Sequence, residues 1–181
     1  MTTAAVTTAT TVAPGTSTTP GDRAGRLAAR LEAGALALAT LAQALTEEEW
    51  RRPIHGDGRA VGVVVHHVAS VYPIEIDLAQ RIASGMPIAG VTMADIHAMN
   101  AAHATEFAGV SRLDALTLLR RTSAQAAAAI RMLSDSDLDT AAPASLYDDA
   151  PVTAQFVLED HAVRHSYHHL AAIRRALAAR P

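Results

Sequence analysis

The sequence predicts an all-α fold: an antiparallel four-helix bundle with an extra short helix and a disordered N-terminal tail. Three observations predict it. Apolar residues recur at helical spacing through most of the chain. Hydroxyl residues followed three positions later by Asp or Glu stand where these stretches begin. No run alternates apolar with polar residues between turn signals, as a half-buried strand would.

Residues 1–21 are mainly threonine and alanine without periodicity and read as a disordered tail ahead of one helical domain, 22–181. Asp22 is placed to cap a first helix running to about Leu45, with Leu27, Leu31, Leu38, Leu41 and Leu45 on one face. Thr46 and Glu49 form a capping box for a short turn through Trp50, which Pro53 stops, and Ile54 to Arg59 form a glycine-containing loop. A second long helix is expected from about Ala60 to Ser84, kinked at Pro73. After a break at Gly85 to Gly90, the pairs Thr92/Asp95 and Ser111/Asp114 open helices over roughly Met93 to Phe107 and Arg112 to Leu133. Ser134 to Ala150 reads as a turn, and a last helix runs from about Thr153 to Ala179. Short connections between amphipathic helices favour a bundle.

At 181 residues the chain is of single-domain length and needs no staples to bury a core. A net charge of -3 without a basic stripe argues against a nucleic-acid partner. The apolar run Gly34 to Leu45 is too short to span a membrane. No cysteine is present, which excludes disulfides, iron–sulfur clusters and thiol nucleophiles. Nor is there any lysine, so Schiff-base chemistry is excluded as well. The N-terminus lacks the pattern of a signal peptide, and a cytoplasmic location is expected.

The chain has nine histidines, and His161, His165, His168 and His169 crowd into one stretch. Helical geometry turns about 100° per residue, which separates their directions. His67 falls on the line of Ala60, Val63, Val64, Val71, Ile74 and Leu78 and is expected to point inward, whereas His66 turns toward Gly62, Ser70 and Asp77, the polar side. His165 and His169 are four apart on the face of Leu158, Ala162, Ala172 and Ile173, with His161 and His168 at its edge beside Arg164 and Arg175. Three inward imidazoles from two helices match a metal site with an open fourth position. A buried imidazole is equally a core residue when it finds a hydrogen-bond partner, but these faces otherwise offer hydrocarbon. Zinc, nickel and iron all accept such ligands. His103, on the line of Ile96, Met99, Asn100 and Phe107, is expected to pack, as is Tyr72. Arg164 and Tyr167 are candidate substrate contacts.

Other site classes lack their residues. The glutamate-rich motifs of di-iron bundles, His-Glu-x-x-His and Gly-x-Ser-x-Gly are all absent. Glu75 and Glu106 do not have the spacing of a carboxylate ligand pair, and Gly56 to Gly62 lacks the spacing and preceding strand of a dinucleotide loop.

The runs Val63-Val64-Val65-His66-His67-Val68-Ala69 and His165-Ser166-Tyr167-His168-His169-Leu170-Ala171-Ala172-Ile173 resemble the DinB-like superfamily, also called DinB/YfiT-like, over about residues 22–179. The resemblance implies a four-helix bundle, frequently dimeric, that holds zinc or nickel through one histidine of the second helix and a His-x-x-x-His pair of the last. These ligands fall on His67, His165 and His169. Activities in the superfamily include thiol-dependent S-transferases and the mycothiol-dependent maleylpyruvate isomerase. Since the chain ends just after the last helix, the isomerase's further domain and its substrate-binding arginine are not expected. The resemblance therefore implies an enzyme using a divalent metal ion (Zn2+, or Ni2+ or Fe2+), with a low-molecular-weight thiol such as mycothiol as co-substrate and a small electrophilic molecule as substrate. Hydrolysis, isomerisation and a non-catalytic, metal-stabilised bundle remain the alternatives. The apolar first helix is compatible with a homodimer.

Overall fold

Leucine and alanine at helical spacing bury one face of α1 (Asp22–Ala44), so that Leu27, Leu31 and Leu38 lie inside. Residues 22–179 are described by the computed structural model, and the tail expected over 1–21 lies outside them. Thr46 accepts from the Glu49 N–H and Glu49 from the Thr46 N–H, opening α2 (Glu47–Arg51). Here α3 (Val61–Ala83) runs on through Pro73 as one helix. The Thr92/Asp95 box opens α4 (Met93–Glu106), and Ser111 caps α5 (Arg112–Arg131). Ser134 and Asp137 make a further capping box, not expected from sequence, at α6 (Asp135–Asp139).

Two elements correct the reading of 134–179. Where only a turn was expected, β1 (Ala141–Pro143) pairs antiparallel with β2 (Pro151–Thr153), and Ile88 exchanges backbone bonds with Pro143 and Ser145 at its edge. Strands of three residues are too short to show alternation, so periodicity could not find them. The last helix is not uniform either: α7 (Ala154–Val157) passes through a π-helical segment, Leu158–Val163, into α8 (Arg164–Ala178). A π turn inserts an extra residue and so rotates the helix before it relative to the helix after it.

The bundle consists of α1, α3, α5 and the composite α7–α8. α5 packs on both α1 and α3, and the composite packs on the same two from the other side. α1 and α3 meet little, so the first two long helices sit across the bundle rather than side by side. Close approach of α1 to α8 depends on Gly34, where a Cβ would stand 2.9 Å from Tyr167 Cε2 and 3.2 Å from Ser166 Cβ. Gly62 likewise leaves room for the Trp50 indole, whose Nε1 donates to the Val110 carbonyl at 3.1 Å. α3 is long and apolar enough to cross a membrane by length and composition, a property expected of no segment. Because 72% of its apolar window is buried inside the protein, it serves here as the central core helix.

Candidate metal centre

α3 is enclosed along its first half: every residue from Val61 to Ala69 is buried, His66 and His67 included. The hydrophobic run that makes this helix the core therefore carries an imidazole pair with it. Across the bundle, α8 presents His165 and His169 one turn apart. One ring nitrogen from each of His67, His165 and His169 lies within 4.8 Å of the other two. Ring centroids stand 5.1 Å apart for His67–His165, 5.5 Å for His67–His169 and 4.8 Å for His165–His169. Tetrahedral zinc with bonds near 2.0–2.1 Å separates its nitrogens by roughly 3.3 Å, so modest side-chain rotation closes the gap.

Electrostatics favour the ligating form. Burial, with the neighbouring positive groups behind it, pushes His67 down to about 2 and His169 down to about 3. Both are neutral near pH 7, with a lone pair on one ring nitrogen. His165 is held differently. Its Nδ1–H donates to Glu75 Oε1 at 2.5 Å, and Glu75 is itself buried on α3. A carboxylate only accepts, so the proton sits on Nδ1 and the Nε2 lone pair is left free. This pairing of histidine with carboxylate is the arrangement that orients metal-ligating imidazoles. Tyr72, one turn before Glu75, and Ser166, the residue after His165, share a short buried hydrogen bond that sets the register of α3 against α8.

Glu75 was missed because the helical line through His67 pointed to Ile74 instead. Ile74 is in fact 45% exposed and Glu75 5%. The available signal was a carboxylate set between two isoleucines, Ile74 and Ile76, two turns from His67. His66 corrects a second expectation: it does not face a polar side. α4 covers it, with the Phe107 ring stacked at 4.0 Å and His103 Nε2 2.9 Å from His66 Nδ1. His103 also meets the His67 ring edge at 5.5 Å, and burial pushes it down to about 4. It was expected to pack, and it does so against the cluster itself.

The remaining candidates stand apart from the three rings. His161 pairs with the Tyr147 hydroxyl, which donates to Asp160 Oδ2 at 2.7 Å. Arg164 is bound to Asp160 on the surface, and Tyr167 donates to the Arg30 carbonyl while packing on Gly34. His168 is exposed and touches only the edge of His169 in this cluster. Neither Arg164 nor Tyr167 reaches toward the triad as a substrate contact would.

Among solved structures, the chain is similar to YfiT from Bacillus subtilis, described as a probable metal-dependent hydrolase with an unusual four-helix bundle topology. The TM-score is 0.70 at 20% identity, covering 91% of each chain. At that identity the likeness bears on the fold alone. No curated protein sequence matches the chain. A family model, in contrast, matches residues 30–173, a span that holds His67, His165, His169 and Glu75. By that match the chain belongs to the DinB superfamily.

Proposed function

We propose that this protein is a metal-dependent enzyme in which His67, His165 and His169 hold one divalent ion, zinc in the first place. The observation that carries the reading is the convergence of three ring nitrogens within 4.8 Å between α3 and α8, with the buried Glu75 carboxylate on one of them. Bound there, a divalent ion supplies Lewis acidity and lowers the pKa of a water or thiol at its open position toward neutrality. The chain's own residues do the rest. Glu75 fixes the tautomer and orientation of His165, and the burial of His67 and His169 keeps both imidazoles unprotonated. The His66–His103 pair walls one side against water.

The preferred reaction is transfer of a low-molecular-weight thiol such as mycothiol to a small electrophile, as the superfamily resemblance implies. The chain has no cysteine of its own to supply such a nucleophile. Hydrolysis is the second reading, suggested by the structural likeness to a protein described as a probable metal-dependent hydrolase. A cytoplasmic location belongs to the same proposal. So does a homodimer through the face of α1 where Leu36 stands 68% exposed.

The test begins with protein purified without an affinity tag. Elemental analysis should find one divalent ion per chain, lost in His67→Ala. The loaded protein is then assayed with mycothiol plus a chlorodinitrobenzene, and with a nitrophenyl ester alone. Thiol-dependent product supports transfer, and thiol-independent ester cleavage supports hydrolysis. A chelator that lowers the melting temperature when neither product forms would leave a metal-stabilised bundle without catalysis.

A further inference from the structure

The last helix, α8, lies between α3 and α1. Its His165 edge meets Glu75 on α3, its Tyr167 edge packs on Gly34 of α1, and Ser166 is buried between the two. That placement depends on the π-helical segment Leu158–Val163. Uninterrupted winding at about 3.6 residues per turn from Val157 and Leu158 would centre the inner face on His161, His165 and Ala172. The buried face instead runs through Ala162, Ser166 and Ile173, one residue further along the chain. One residue is about 100° of turn, so the segment sets His165 on the edge beside α3 rather than in the middle of the face.

A π winding is rare because α winding is the more favourable, so a segment that keeps it needs contacts that hold it. Within the helix, the Arg164 N–H is shared between the His161 carbonyl and the Glu159 carbonyl five residues back. The Asp160 carbonyl, its partner in an α-helix, accepts from Arg164 Nε at 3.0 Å instead. From outside the helix, the Tyr147 hydroxyl donates to Asp160 Oδ2 at 2.7 Å and stands 3.0 Å from His161 Nε2. Its one proton goes to the carboxylate, so the imidazole donates to its oxygen. Burial and the Asp160 carboxylate push the Tyr147 hydroxyl up, which keeps it a donor. Tyr147 belongs to the turn Ser145–Tyr147 between β1 and β2, and that turn is anchored. The Ser145 N–H donates to the Ile88 carbonyl at 2.8 Å and Ser145 Oγ to the Val91 carbonyl at 2.8 Å. The hairpin thereby braces the chain that follows α3 against the π segment.

We infer that Tyr147 is a positioning residue for the three-histidine centre: its hydroxyl, bridging Asp160 and His161, holds the π winding that keeps His165 and His169 turned toward α3. Asp160 and His161 are consecutive and stand just ahead of His165, so bonds to both fix the helix immediately before its first ligand candidate. Among the described residues the hydrogen bonds of the hydroxyl go to these two and not to the triad, so Tyr147 acts through the winding alone. Without the hydroxyl the segment is free to relax to α winding, which turns His165 and His169 away from Glu75 and His67. The inference deepens the metal-enzyme reading and rests on it for what the histidine face does, though the winding itself does not need the metal.

The chain has no cysteine, so one introduced thiol reports on one position. Ser166→Cys, on the inner face of α8, and Ala127→Cys, on α5, both at fully buried sites, are each made with and without Tyr147→Phe in the metal-free full chain. Reaction with a thiol reagent should quicken about tenfold or more at Ser166→Cys when the hydroxyl is lost, and stay unchanged at Ala127→Cys. Zinc affinity of Tyr147→Phe in the otherwise unaltered chain, measured by chelator competition, should fall about tenfold. Should Tyr147→Phe not fold, Asp160→Asn, which keeps an acceptor oxygen and loses its charge, is read in the same way and should show the same changes in smaller measure. An unchanged rate at Ser166→Cys, equal rises at both positions, which would mark general loosening, or an unchanged zinc affinity would each overturn the inference. If the wild type holds no zinc, the metal reading falls, and the labelling rates still decide whether Tyr147 holds the winding.

Discussion

The buried contact between Glu75 and His165 joins the two helices that bring the triad together, and its consequence is measurable at a single atom. Because Oε1 accepts the Nδ1 proton, the Nε2 lone pair is held toward the cluster rather than free to exchange roles with Nδ1. Glu75→Gln keeps the size and an acceptor oxygen but loses the charge that makes the bond strong. Zinc affinity should fall about ten- to hundredfold, as for other partners of ligating histidines, with the helical circular-dichroism signal retained. Competition with a chromogenic chelator measures it, and an unchanged affinity would mean that the bond does not orient His165. Removing a ligand is more severe. His67→Ala should abolish stoichiometric zinc, whereas His103→Ala, which touches His67 only at its ring edge, should leave stoichiometry intact.

At the scale of elements, the approach of α1 to α8 is set by a missing side chain. Gly34→Val would place a branched side chain where even a Cβ meets Tyr167 and Ser166. Ser166 is fully buried between His165 and Tyr167, so α8 can give way only by moving its histidine face. A loss of about 1–3 kcal/mol of stability is expected from such overpacking, read by urea denaturation, together with weaker zinc binding. The same scale shows what was legible in the sequence. The convergence of His67, His165 and His169 is legible because each lies in a long helix whose periodicity is clean near it, and a direction is all that periodicity supplies. His66 was misplaced because α4 covers it, and no pattern within α3 tells which of its faces a later, weakly amphipathic helix will cover. Glu75 was missed two turns further on, where the line drawn from His67 selected the exposed Ile74. The π segment ahead of α8 was invisible as well: Leu158 and Ala162 are buried in either geometry, so the inserted residue leaves no mark on the apolar pattern.

For the molecule as a whole, an imidazole cluster in the core ties stability to pH in one direction. Burial depresses His67 to about 2 and His169 to about 3, against an ordinary value of 6.5. Between the depressed and ordinary values the unfolded chain takes up two protons at these positions that the metal-free folded chain refuses, and His103, pushed down to about 4, adds a third. Stability therefore rises with pH through this window and is lost as pH falls below about 6.5. Each refused proton contributes about 1.4 kcal/mol per pH unit once the unfolded histidine is fully protonated, so the two together approach about 3 kcal/mol per unit. Against a total of about 5–15 kcal/mol, that slope should unfold the chelated protein within a few units of neutrality. Zinc shifts the curve, because it binds the neutral rings of the folded chain and adds stability that protons must compete away. The measurement is the melting temperature of chelated and zinc-loaded protein between about pH 7.5 and about pH 5, a range that keeps clear of ordinary carboxylate titration. The chelated protein should lose stability steeply below about pH 6.5, the loaded protein should resist to lower pH, and His67→Ala should flatten the chelated curve by removing one of these protons. A chelated protein whose melting temperature does not change across this range would show that these rings are open to water, and a core cluster would then be the wrong description of them.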